Sequence, residues 1–170
     1  SGVYAYAHGD QGVIGDLKDP NVARQHPTDY LRGLEQSVRS ALREAGIAGN
    51  DVVGIGVDAT ASTPIPLDEQ GEPLAFCEAF EGHPAALAWL WKDHTSVAEA
   101  KEITERAAVM RPAYLAACGG TYSSEWFWAK VLHCARTAPD VFEAANRWVE
   151  LADYIPFVLT GEIVPGLCAA

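Results

Sequence analysis

The chain has 170 residues, 49% hydrophobic, 21% charged and 9% aromatic, with 12 Lys+Arg against 23 Asp+Glu and a formal net charge of −11. A chain of this size buries roughly 70% of the surface that its unfolded form exposes, so it reaches a stable core without a disulfide or metal staple, and disorder and collagen-like structure are excluded. No stretch approaches the ~18 uninterrupted apolar residues of a membrane helix, and the few basic residues do not cluster, so neither a membrane nor nucleic acid is an expected partner.

Residues 3–7 (Val3-Tyr4-Ala5-Tyr6-Ala7) are β-rich and run into a turn-like stretch with Gly9, Asp10, Gly12, Gly15 and Asp16, which predicts a short strand and a loop. From Pro27, the apolar positions Leu31, Leu34, Val38, Ala41, Leu42 and Ala45 recur every three or four residues, and Gly46 supplies a stop; this predicts a helix. The continuous apolar run at 52–57 (Val52-Val53-Gly54-Ile55-Gly56-Val57) has the pattern of a strand buried on both faces of a parallel sheet. Helix followed by strand means an α/β crossover. Residues 58–63 then stand at the strand's C-terminal end, where open α/β sheets gather their ligand sites.

Pro64, Pro66 and the turn at 68–71 break the chain, and residues 73–76 suggest a hairpin arm. Beyond them helices are predicted over 84–91, 96–108, 124–136, 139–148 and 152–159, the last stopping at Thr160 and Gly161. The N-terminal part is thus mixed α/β and the remainder mostly helical, in one compact unit without repeats. Cys77, Cys118, Cys134 and Cys168 form no C-x-x-C pair and nothing at the N-terminus resembles a signal peptide, which points to free thiols in a reducing cytoplasm. Both ends of the chain look cut: a complete small domain and a piece of a longer chain fit them equally.

Several motifs have two readings. Gly54-x-Gly56-x-x-Ala59 has the letters of a dinucleotide fingerprint, but its glycines lie inside the strand, where small residues mark the close approach of a helix or ligand. Asp58 either caps a turn or, with the hydroxyls of Thr60, Ser62 and Thr63 and the space beside Ala61, faces a polyhydroxylated ligand. The indoles of Trp89 and Trp91 with Lys92, Asp93 and His94 suit the face and hydroxyls of a sugar, or form a helix end with one core Trp and a surface ion pair. Gly119-Gly120 and Ser123-Ser124-Glu125 are good helix-start chemistry, and of the three aromatics that follow, either Trp126 or Trp128 exceeds what a single buried face can use. No G-x-S-x-G elbow frames these serines, and His133 beside Cys134 points about 100° away from it on a helix, so neither is read as a nucleophile pair.

Together the strings Val53-Gly54-Ile55-Gly56-Val57-Asp58-Ala59-Thr60-Ala61-Ser62-Thr63-Pro64-Ile65-Pro66, Leu90-Trp91-Lys92-Asp93-His94-Thr95, Gly119-Gly120-Thr121-Tyr122-Ser123-Ser124-Glu125-Trp126-Phe127-Trp128-Ala129-Lys130 and Asp153-Tyr154-Ile155-Pro156 resemble the ribulokinase branch of the FGGY carbohydrate kinases. The resemblance runs in order from about His26 to the last residue. It implies an α/β domain of the actin-like, RNase H-like type, incomplete here and carrying a large helical insertion: residues 1–170 as a partial N-terminal kinase domain, the substrate-side lobe. Members of this branch transfer the γ-phosphoryl group of ATP to the 5-hydroxyl of ribulose in pentose (arabinose) catabolism. By match to the family pattern, Asp58, Thr60, Ala61 and Ser62 border the sugar with Ala61 against it. Trp91, Lys92 and Asp93 build the cleft wall, and Glu125 and Trp126 support it.

The same resemblance implies parts that lie elsewhere: a first strand with an Asp-x-Gly-Thr phosphate loop, a sugar-binding Lys just beyond residue 170, the catalytic Asp, and an ATP-binding second domain. No residue of this chain is therefore assigned as catalytic, ATP-binding or metal-binding. ATP and Mg²⁺ are expected cofactors of the longer enzyme, none held tightly by these residues, and the chain alone is expected to be inactive. Its expected partners are a pentulose and the C-terminal ATP-binding domain, with a homodimer where apolar surface is left uncovered. A kinase for D-ribulose or a pentitol, and a non-catalytic sugar- or protein-binding module, are the alternatives.

Overall fold

The computed structural model describes residues 1–166; Cys168 lies outside the described residues. A long helix α1 (Pro27–Ala45) opens the regular structure after a two-residue strand β1 (Arg24–Gln25). Its sequence supplies both ends: the His26 ring accepts a hydrogen bond from the Thr28 N–H, Pro27 fills the first turn, and Gly46 turns left-handed at φ 67° to return its N–H to the last carbonyls.

The sheet is in two pieces. β1 pairs antiparallel with β3 (Ala88–Trp89), and β2 (Pro64–Leu67) pairs antiparallel with β4 (Arg147–Glu150), setting Ile65 opposite Val149 and Pro64 opposite Glu150. Two prolines fit β2 because only alternate residues of an antiparallel strand donate to a given neighbour. The remaining helices are α2 (Val97–Met110), α3 (Pro112–Ala117), α4 (Phe127–Thr137), α5 (Pro139–Ala144) and α6 (Leu151–Thr160). Ile65, Leu67, Val149, Tyr154 and Tyr30 form one core; Leu74, Ala86, Trp89, Cys134 and Val141 form a second, beneath α4 and α5. No helix among the described residues is long and apolar enough to cross a membrane.

Several expectations are corrected. Residues 3–7 and 52–57 carry no regular secondary structure and no strand partner among the described residues, and Val53 and Ile55 are 104% and 60% exposed, so among these residues the apolar run is not buried in a parallel sheet. A strand needs a neighbour for its backbone groups, and the pairs that do form here are antiparallel. A Cβ added at Gly54 or Gly56 would meet nothing within 4 Å, so those glycines mark no close approach among the described residues. Residues 84–91 form a 3₁₀ turn (Pro84–Ala86) and then β3, because the strand buries Ala88 and Trp89 against β1. Residues 139–148 likewise divide into α5 and β4, while residues 73–76 bridge to Leu67 through Pro73 and then turn in 3₁₀ fashion.

Candidate functional site

A groove of about 680 Å³ opens between residues 3–7, α1, residues 55–60, the segment after β3 and the start of α6. Tyr30, Leu34, Ile55, Leu151 and Ile155 make its lining apolar. Asp58, Thr60 and Lys92 add polar groups, and Trp91, 45% exposed, contributes an indole. An apolar bed with a few convergent polar groups and one open aromatic suits a small ligand that has both a hydrocarbon face and hydroxyls.

Asp58, Thr60, Trp91 and Lys92 thus come together around one space. Other residues singled out from the sequence stand apart from it. Ala61 is exposed and Ser62 half-buried on the turn beyond Thr60; Ser62 is held at φ 58°. Asp93 has no exposed surface: it pairs with Arg24, accepts a hydrogen bond from Ala23 N–H at 2.7 Å, and takes the Thr95 hydroxyl at 2.6 Å. A carboxylate so enclosed is spent on fixing the Trp91–Lys92 segment from beneath, since burying it unpaired would cost too much. Arg24 in turn lies 3.5 Å over the Trp89 ring, which makes Trp89 a core residue.

Glu125 and Trp126 do not line the groove. Glu125 is 3.5 Å from His94 Nε2, His94 Nδ1 shares a 3.1 Å hydrogen bond with Ser124 Oγ, and Ser96 donates to the Ser124 carbonyl at 2.7 Å. Trp126 stands edge-on to Tyr122 with ring centres 5.0 Å apart. These contacts brace the end of the wall without entering the groove.

The sequence did not single out Lys130 or Glu150. Lys130, wholly buried, donates from Nζ to the Ser62 carbonyl at 2.6 Å and to the Leu90 carbonyl at 2.8 Å. Burial, reinforced by the charge of Arg24, pushes its amine down to about 7 against the pull of Glu150. Glu150 Oε2 accepts from the Thr63 N–H at 2.8 Å, and burial pushes this carboxyl up to about 7 although that bond and Lys130 draw it down. Its Oε1 has no hydrogen-bond partner among the described residues. The signal for Lys130 was present: it falls on the helix face of Phe127, Val131 and Cys134, where a charge must find acceptors. Among the described residues no cluster of three or more His, Cys, Asp and Glu could hold a metal ion.

Residues 7–169 match the FGGY family of carbohydrate kinases, N-terminal domain. The chain is 41% identical over 172 residues to the ribulokinase of Shouchella clausii, covering 99% of this chain and 31% of that protein. It is 44% identical over 154 residues to the ribulokinase of Vibrio parahaemolyticus, covering 86% of the chain and 27% of the relative. It therefore spans less than a third of the length of these relatives. Among solved structures, the xyloylose kinase of Brucella ovis aligns with a TM-score of 0.71 at 21% identity over 88% of this chain and 28% of its own. The gluconate kinase of Lactobacillus acidophilus gives 0.69 at 16% identity, over 89% of this chain and 27% of its own.

Proposed function

Because the chain belongs to the FGGY family of carbohydrate kinases and has the actin-like α/β fold of its solved relatives, we propose that it is the substrate-side lobe of the N-terminal domain of a ribulokinase. The whole enzyme would transfer the γ-phosphoryl group of MgATP to the 5-hydroxyl of L-ribulose, in the catabolism of a pentose such as arabinose. One observation carries this reading: residues 58–60 and 91–92, which belong to the strings resembling that branch, converge on the same groove.

In this reading Trp91 packs on the carbon chain of the pentulose, and Asp58, Thr60 and Lys92 take its hydroxyls. Asp58 accepts from hydroxyl protons, Lys92 donates to hydroxyl oxygens, and Thr60 does either. Such contacts hold the acceptor hydroxyl in place, and placement is most of what a protein supplies to phosphoryl transfer. The donor side, with ATP, Mg²⁺ and the general base, is assigned to the rest of the protein, including its C-terminal domain.

ADP release by the full-length protein tests the proposal, with L-ribulose, D-ribulose and ribitol supplied in parallel. Turnover that favours L-ribulose supports it. A preference for D-ribulose or ribitol keeps the kinase and replaces the substrate, and no release with any of the three sinks the assignment.

A further inference from the structure

Two hydrogen bonds from one buried amine join the two sides of the groove. Lys130 Nζ reaches the carbonyl of Ser62, which closes the 58–62 turn, and the carbonyl of Leu90, which precedes Trp91. The peptide unit after Ser62 is held at its other polar end too, because the Thr63 N–H donates to Glu150. No direct bond links Lys130 to Glu150; each acts on the peptide between Ser62 and Thr63. Ser62 itself sits at φ 58°, a left-handed conformation that strains a residue with a side chain. A turn of that kind persists only where its surroundings hold it. A residue needed merely to fill space beneath α4 could be apolar, which would avoid the desolvation of an amine there.

We infer that Lys130 is a positioning residue for the sugar: with Glu150 it fixes the Ser62 turn and sets the separation between Asp58–Thr60 and Trp91–Lys92. The inference rests on the reading of the groove as the pentulose site. It assigns Lys130 no contact with substrate, so its effect passes wholly through the geometry of those two arms. Loss of the amine should therefore weaken sugar binding and leave the nucleotide side unchanged.

The test uses the full-length protein. Wild type is first shown to release ADP with L-ribulose and to bind it without ATP; Lys130→Met and Lys130→Gln are then compared for sugar KM, ATP KM, sugar Kd and Tm. In the folded Met variant, sugar KM and Kd should rise about tenfold or more with ATP KM changed less than about twofold, and Gln, which keeps a donor, should recover part of the loss. Unchanged sugar constants in a folded variant, or an equal rise in both KM values, overturn the inference. Failure of both variants to fold also overturns it, since Lys130 would then serve only the core. A wild type that neither binds nor phosphorylates any pentulose points instead to the functional reading, and the inference falls with it.

Discussion

Arg24 and Asp93 form an ion pair closed to water on both sides, the guanidinium lying over Trp89 and the carboxylate also taking the Ala23 N–H. It ties β1 to the base of the Trp91–Lys92 wall, so the wall's position depends on residues nearly seventy apart in sequence.

Removing one member should be costly. Arg24→Met leaves Asp93 buried without its cation, and the full-length protein should lose about 3–5 kcal/mol of stability in denaturant unfolding. A loss below about 1 kcal/mol would mean that Asp93 has water or another partner.

Trp91 and Lys92 should behave in the opposite way. Lys92 is exposed and Trp91 only 45% exposed, so Lys92→Ala should shift stability by no more than about 0.5 kcal/mol and Trp91→Ala by about 1–3 kcal/mol, while both raise the KM for L-ribulose roughly tenfold. A sugar KM equal to that of wild type for both variants would remove the wall from the binding site.

Ala61 is exposed beside the strained Ser62 turn, with room for a larger side chain. Ala61 stands apart from the groove, so Ala61→Leu should fold normally and leave sugar KM within about twofold of wild type. A large rise in sugar KM would bring Ala61 into the site.

The buried Glu150 and Lys130 should give stability a characteristic pH dependence. Glu150, raised from 4.5 to about 7, keeps a proton in the folded chain that the unfolded chain has released, so its contribution is full below 4.5 and is lost as pH rises through 7. Lys130, lowered from 10.5 to about 7, gives the opposite sign: the unfolded chain holds its proton between 7 and 10.5, and stability recovers over that range. Arg24, Glu125 and Asp153 also act electrostatically on one or other of these groups, and both slopes include their charges. Unfolding midpoints of Glu150→Gln, which keeps an oxygen for Thr63, should lack the fall between 4.5 and 7. A slope equal to that of wild type would show that Glu150 does not titrate there.

Much of the fold was legible where a short-range rule decides it. The three-and-four spacing from Leu31 to Ala45 and the stop at Gly46 gave α1, and Thr160 and Gly161 marked the end of α6. Residues 84–91 and 139–148 were misread because burial against a distant partner, Arg24 for Trp89 and Ile65 for Val149, outweighed local helix preference. The apolar run at 52–57 has the composition of an inner strand, yet no local pattern says which segment lies beside it.

The site divides along the same line. Asp58, Thr60, Trp91 and Lys92 stood in strings whose chemistry suited a sugar, and the groove joins them. That Asp93 serves Arg24, and that Lys130 holds Ser62, depends on contacts 69 and 68 residues apart, which no spacing rule in one sequence reveals.

The most direct measurement of the central claim is a crystal structure of the full-length protein grown with L-ribulose. The account predicts the pentulose in this groove, its carbon chain against Trp91 and its hydroxyls within hydrogen-bond reach of Asp58, Thr60 or Lys92. A sugar bound elsewhere, with these side chains facing only water or another part of the protein, would contradict it.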